Sequence, residues 1–146
     1  MTSRHLITIQ RVSRVAGIPS ERQFHQWLNA ALPRKATLSL RIVNAAEGGR
    51  LNAAFRGKAN ATNVLTFVYH QRNAETLEGD IVLCAQVVAR EAREQDKARA
   101  AHYAHLTVHG ALHLAGFDHA TVREAKIMES REIAILAKLG IANPYA

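Results

Sequence analysis

Residues 109–119 read His-Gly-Ala-Leu-His-Leu-Ala-Gly-Phe-Asp-His, a stretch that combines three histidines with two glycines. His109 and His113 are four residues apart, so on a helix they lie one turn from each other on the same face. Gly116 allows the chain to leave the helix, because glycine tolerates the positive φ of a C-terminal reversal. His119 is the next residue able to return toward the pair. The stretch predicts three imidazole ligands and an open fourth position, the ligand set of catalytic zinc.

His105 complicates the choice of ligands, because it extends the row of His109 and His113 by one more turn. Eight residues of helix rise about 12 Å, a span that two metal–nitrogen bonds of about 2.1 Å cannot bridge. The third ligand is therefore expected at His119. His105 is left as a substrate-facing residue, a residue that supports the ligands, or an ordinary surface histidine. Asp118 either orients a ligand imidazole or caps the following helix.

The spacing of the three histidines is also that of the metzincin metalloproteases, whose general base is a glutamate directly after the first histidine. Gly110 occupies that position here. Without a carboxylate, nothing in the motif accepts a proton from the attacking water, so peptide hydrolysis is disfavoured. A metalloprotease or other amidohydrolase that uses the same three histidines remains the alternative hypothesis.

With glycine at position 110, the chain instead resembles the bacterial YbeY family from about Ile42 onward. The likeness includes six segments: Leu51-Asn52, Phe55-Arg56-Gly57-Lys58, residues 62–67, residues 79–82, residues 102–119 and Asn143-Pro144-Tyr145. This chain departs from the family in having Val68 after Phe67, where proline is usual.

The resemblance implies a zinc-dependent endoribonuclease that is specific for single-stranded RNA and matures small-subunit ribosomal RNA, with a role in ribosome quality control. It implies one Zn2+ held by His109, His113 and His119, and it implies that Arg56, a basic active-site residue, and His109 are catalytic. The implied partners are RNA of the small ribosomal subunit, an Era-type GTPase and a small-subunit ribosomal protein. A non-catalytic ribosome assembly factor with structural zinc is a second alternative.

Residues 56–63 form a polar, glycine-bearing link in the middle of the chain. The guanidinium of Arg56 can pair with two phosphate oxygens, while Lys58 and Asn63 supply further donors. Lys58 and Asn63 are therefore predicted to bind substrate. His105 is predicted to do so as well, as a substrate-facing residue of the metal-bearing helix. The competing interpretation of this link is an ordinary solvated loop.

The overall composition favours a polyanionic partner. The formal net charge is +7, which attracts RNA through steering and counterion release. Cys84, the single cysteine, excludes an internal disulfide and fits a reducing compartment. No apolar run approaches the ~20 residues needed to cross a membrane, and no signal peptide is evident. We therefore expect a cytoplasmic protein without a membrane partner.

Hydrophobic periodicity predicts one α+β domain over residues 1–146. A small mixed sheet is expected to pack with helices, and a central helix over about residues 101–115 carries the metal ligands, in a zincin-type, metalloprotease-like arrangement. A capping box at Ser20 and a second one at Thr121 predict two flanking helices. A further helix is predicted over residues 86–97, and a weaker signal predicts one after Asn44.

Strands are predicted at residues 6–9, 37–42, 64–68 and 81–84. The run at residues 64–68 is almost continuously apolar and is expected to be buried. Gly79 and Asp80 are expected to lead into the last strand, with Asp80 either an active-site carboxylate or a turn residue.

Overall fold

Strands and helices alternate through most of the chain, for which a computed structural model describes residues 5–56 and 62–146, without the side chains of residues 55 and 56. The elements in order are β1 (Leu6–Arg11), α1 (Glu21–Ala31), β2 (Ala36–Val43), α2 (Ala45–Arg56), β3 (Val64–Val68), β4 (Leu77–Cys84), α3 (Ala85–Glu94), α4 (Arg99–Leu114) and α5 (Val122–Lys138).

The four described strands form one sheet in the order β1-β2-β4-β3. β1 pairs with β2 and β2 pairs with β4 in parallel, whereas β3 pairs with β4 in the antiparallel sense at the edge. The predicted α+β class with a mixed sheet is therefore confirmed.

The main core lies on one face of this sheet, where alternate residues of β2 and β4 pack against α1 and α4. The inward stripe predicted for α1 is buried, with Phe24 packing edge-on against both Trp27 and Tyr103 of α4. A smaller cluster of Val43, Leu65 and Val82 lies apart from the main core. α4 is thus enclosed by the sheet, α1, α3 and α5, which makes it the central helix.

Both predicted capping residues begin helices. Ser20 accepts a hydrogen bond from the Gln23 backbone N–H at 3.2 Å, and the Gln23 side chain accepts one from the Ser20 N–H at 3.0 Å. Thr121 likewise accepts from the Glu124 backbone N–H at 3.1 Å. Each contact satisfies an N–H at a helix start that has no partner within the helix.

The prediction that Gly79 and Asp80 precede the last strand was wrong, because β4 begins at Leu77 and contains both. A Cβ at position 79 would overlap the Phe67 carbonyl oxygen and lie 2.5 Å from Leu114 Cδ1. Gly79 is therefore explained by the close approach of β3 and α4 rather than by a turn.

The prediction that residues 64–68 are buried was also largely wrong. Leu65 is buried, but Val64 and Thr66 are partly exposed and Val68 is 49% exposed. The reason is topological, since β3 is an edge strand with β4 on one side only.

Among the described residues, no helix is long and apolar enough to cross a membrane.

Candidate metal centre

The structure brings together the three histidines that the sequence motif singles out. His109 and His113 lie one turn apart on α4 with ring centroids 6.1 Å from each other. The ring of His119 lies 5.4 Å from that of His109 and 5.7 Å from that of His113. The three imidazoles therefore form a nearly equilateral triangle.

His119 reaches the pair because of the way α4 ends. Gly116 has φ +107°, its N–H donates to His113 O at 3.0 Å, and the Phe117 N–H donates to Leu112 O at 3.0 Å. These two bonds define a Schellman motif, in which glycine takes the left-handed conformation and reverses the chain. The predicted reversal at Gly116 is confirmed.

Asp118 adds a carboxylate to this centre. One ligand atom each from His113, Asp118 and His119 lies within 4.8 Å of the others, a grouping that does not include His109. Asp118 Oδ1 also accepts the His119 backbone N–H at 2.7 Å. The alternative role for Asp118, as a cap of the next helix, was wrong, since Thr121 is the N-cap of α5. The residues present can hold a metal ion.

Glu132 of α5 forms a hydrogen bond with His109 of this centre, and it was not among the residues predicted from the sequence. Its fully buried carboxylate accepts hydrogen bonds from His109 Nδ1 at 2.7 Å and His105 Nε2 at 2.9 Å, and from the Tyr145 hydroxyl. Burial raises the pKa of Glu132, but these three hydrogen bonds outweigh it and lower the pKa to about 2. The ionised carboxylate holds the Nδ1–H tautomer of His109, so Nε2 keeps the lone pair that a metal needs.

The electrostatics of His113 also favour metal binding. Burial lowers the pKa of His113, and the nearby His109 lowers it further. Both effects keep the imidazole neutral near pH 7, and only the neutral ring can donate a lone pair to a metal.

A groove of about 650 Å³ opens beside the three histidines. Its lining consists of residues 62–69 together with His109, His113 and His119. Asn63, predicted to bind substrate, lies in this lining, but its side-chain amide donates to Glu91 Oε1 at 3.0 Å. The groove therefore combines a metal-binding end with a wall formed by β3 and the residues next to it.

Of the remaining residues predicted for the site, His105 lies outside the groove, and the side chains of Arg56 and Lys58 are not described. His105 lines a separate cavity of about 250 Å³ and is bound to Glu132. α2 ends at Arg56, whose side chain is not described, and Lys58 lies outside the described residues.

Asp80 does not line the groove either. It accepts hydrogen bonds from Ser39 Oγ at 2.5 Å and from the Tyr69 hydroxyl at 2.6 Å, in a different depression of the surface.

Gly110 faces the sheet and is closely packed there. A Cβ at this position would lie 3.0 Å from Ile81 Cγ2 and 3.4 Å from Thr66 Oγ1. These distances are tight for a Cβ, so a side chain at this position would require the side chains of Ile81 and Thr66 to move by a few tenths of an ångström. Glycine at position 110 therefore fits the close packing of α4 on β3 and β4.

The fold and the centre together define a class of protein: an α+β domain with histidines clustered on a central helix beside a groove. A sequence profile of the family described as endoribonuclease YbeY matches residues 9–140. The chain belongs to this family.

Individual relatives agree with the profile. Proteins named endoribonuclease YbeY from Nitrosomonas europaea and Aromatoleum aromaticum are 50% and 51% identical, over 96% and 99% of this chain and 84% and 95% of theirs. A Thermotoga maritima protein with a known solution structure shares the fold, with a TM-score of 0.59 and 21% identity over 92% of this chain and 91% of that one.

Proposed function

We propose that this protein is a metal-dependent endoribonuclease that hydrolyses phosphodiester bonds in single-stranded RNA. The observation that carries the proposal is the meeting of three imidazole rings, 5.4–6.1 Å apart, at one end of a groove. The net charge of +7 favours a polyanionic substrate over a peptide. The activity in the name of the relatives is of the same kind.

The proposed ligands are His109, His113 and His119, and the proposed ion is one Zn2+ per chain. Three neutral imidazoles with one open position are a usual catalytic zinc set, and the Glu132–His109 hydrogen bond is the support that such a ligand normally has. A bound zinc ion supplies Lewis-acid stabilisation of the charge that develops on phosphoryl oxygens. Asp118 is close enough to assist His113 and His119.

The residues of the chain supply positioning and charge. Arg56 at the end of α2 is proposed to pair with phosphoryl oxygens, and Lys58 and Asn63 to hold the neighbouring backbone. His105 contacts Glu132 rather than the groove lining, so its proposed effect on substrate is indirect.

The wider proposal follows from the family resemblance. One domain spanning residues 1–146, in a zincin-type arrangement around α4, would act on small-subunit ribosomal RNA in the cytoplasm. An Era-type GTPase and a small-subunit ribosomal protein are the partners that we propose.

The decisive experiment compares His113→Ala with His25→Ala, which removes a histidine of α1 far from the motif in sequence. Zinc content and cleavage of labelled single-stranded RNA are measured on the same preparations, before and after chelation. We expect His113→Ala to lose bound zinc and cleavage together, whereas His25→Ala keeps both. A metal-free His113→Ala protein that still cuts RNA would refute the proposal.

The alternatives give different results in the same assay. A peptide substrate is incubated in parallel, and turnover of peptide without RNA cleavage would indicate an amidohydrolase. Zinc-loaded wild-type protein that binds RNA without any metal-dependent cleavage would indicate an assembly factor with structural zinc.

A further inference from the structure

The groove wall formed by residues 62–69 is the edge of a strand rather than a face of the sheet. Eight consecutive residues, 62–69, line the groove. A strand that presented a face would contribute only alternate residues, because successive side chains point to opposite sides. β3 is the outermost strand of the described sheet, so one of its edges has no strand beside it.

The register of β3 on β4 identifies which backbone groups point toward this edge. The Tyr69 N–H donates to Glu78 O at 2.8 Å and the Cys84 N–H donates to Asn63 O at 3.0 Å. Both residue pairs belong to the same antiparallel register, in which hydrogen-bonded and non-hydrogen-bonded pairs alternate. Residues 63, 65, 67 and 69 therefore face β4, and Val64, Thr66 and Val68 direct their N–H and C=O groups away from it.

We propose that the outward N–H and C=O groups of Val64, Thr66 and Val68 bind the sugar–phosphate backbone of a single-stranded RNA. Successive N–H groups on this edge repeat every ~6.8 Å, which suits contact with one extended chain. The N–H groups donate to phosphate oxygens and the carbonyls accept from 2′-hydroxyls, neither of which reads base sequence.

The position of this edge relative to the metal centre supports the assignment. Thr66, the middle residue of the three, has its Oγ1 3.4 Å from the place that a Cβ of Gly110 would occupy. Gly110 directly follows His109, so the centre of the edge lies beside the helix segment that carries the proposed ligands. An RNA strand bound to this edge would place a phosphate at the end of the groove where the three histidines lie.

The occupant is RNA rather than peptide for reasons of charge and chemistry. An extended peptide can also add to a sheet edge, but the chain carries 19 Lys and Arg against 12 Asp and Glu, and it has Gly110 where a metzincin has its glutamate base. The inference rests on the proposed function for its substrate, and its test measures binding separately from cleavage.

The test removes single N–H groups with proline. Proline is tolerated at an edge position whose N–H makes no ladder hydrogen bond, so Val68→Pro and Val64→Pro delete donors and Val68→Ala and Val64→Ala serve as matched controls. Binding of labelled single-stranded RNA is measured by fluorescence anisotropy in the presence of chelator, which prevents cleavage. We expect each proline variant to raise Kd about ten-fold over its alanine control, with unchanged zinc content after reloading.

Amide hydrogen exchange of the wild-type protein gives a second measurement that needs no variant. The N–H groups of Val64, Thr66 and Val68 should exchange fast in the free protein and become protected by RNA, while those of Leu65 and Phe67 are slow in both states. Equal Kd values for proline and alanine variants, or no added protection at the three amides, would overturn the proposal. So would protection by a peptide but not by RNA.

The two proposals fail separately. Edge protection by RNA in a protein that never cleaves it would leave the binding edge standing and remove the proposed nuclease activity. Zinc-dependent cleavage of RNA without protection of the three amides would support the nuclease activity and overturn the proposed binding edge.

Discussion

Two of the imidazole–carboxylate contacts that α4 makes can be compared, one by a histidine proposed as a metal ligand and one by a buried histidine. His102 Nε2 contacts Glu91 of α3 at 2.9 Å, and His109 Nδ1 contacts Glu132 of α5 at 2.7 Å. His102 is 3% exposed, and its Nδ1 is buried without a hydrogen-bond partner in the part of the chain that the structure describes. The free nitrogen of His109, in contrast, belongs to a ring that lines the groove with two others.

Both contacts join an imidazole to a carboxylate, but they involve different ring nitrogens and leave the second nitrogen in different surroundings. Glu91 binds Nε2 of His102, whose Nδ1 lies in the protein interior. Glu132 binds Nδ1 of His109 and fixes the tautomer of a ring that lies next to two more imidazoles. The carboxylates also differ in burial, since the Glu91 side chain is 24% exposed and the Glu132 side chain 1%.

The largest effect is expected from Glu132→Gln. The neutral amide offers one acceptor oxygen to two imidazoles, so His109 loses the group that orients it. Zinc affinity should fall 10- to 100-fold by the loss of such a support, and the free energy of unfolding of the zinc-free protein by about 3 kcal/mol. Calorimetric zinc titration and urea unfolding measure the two quantities.

The matched control is Glu91→Gln, which changes the other pair on the same helix. We expect a loss of about 1 kcal/mol in the free energy of unfolding and an unchanged zinc affinity. If both variants bound zinc equally well, the distinction between the two pairs would be lost and Glu132 would be only a structural residue.

Local sequence signals predicted the proposed histidine ligands, but they did not predict the carboxylate of Glu132 that binds one of them. The four-residue spacing of His109 and His113 and the glycine at 116 determine where two rings and the chain reversal lie. Glu132 is thirteen residues beyond His119 on another helix, where no local pattern links it to the motif. One signal was present: Glu132 falls four residues after Met128 and four before Leu136, on the buried face of α5.

Other misinterpretations have the same non-local origin. Gly79 next to Asp80 is a common turn signal, yet the reason for the glycine is the approach of the Phe67 carbonyl of β3 and of Leu114 of α4. The apolar run at residues 64–68 is typical of a buried strand, but its exposure depends on the order of strands in the sheet. Local patterns predicted where the elements lie, whereas neighbours across the fold decided the burial.

An intermediate effect is expected from pH acting on the His102–Glu91 pair. Burial lowers the pKa of His102 from 6.5, although Glu91 and its hydrogen bond oppose the shift. Below about pH 6.5 the unfolded chain therefore binds a proton that the folded chain resists, so stability falls as the pH decreases. His102→Gln should therefore lose less stability than the wild type between pH 8 and pH 5, measured by urea unfolding in chelator. Identical pH profiles for the two proteins would contradict this assignment.

The smallest effect is expected from Tyr145→Phe at the Glu132 end. The Tyr145 hydroxyl donates to Glu132 Oε1, but the same carboxylate also accepts from His105 and His109. Because two imidazole donors remain, the free energy of unfolding should fall by less than about 1 kcal/mol and zinc affinity by roughly two-fold. The measurements are the same zinc titration and urea unfolding. A loss as large as that of Glu132→Gln would mean that the phenol, rather than the imidazoles, keeps the buried carboxylate ionised and His109 oriented.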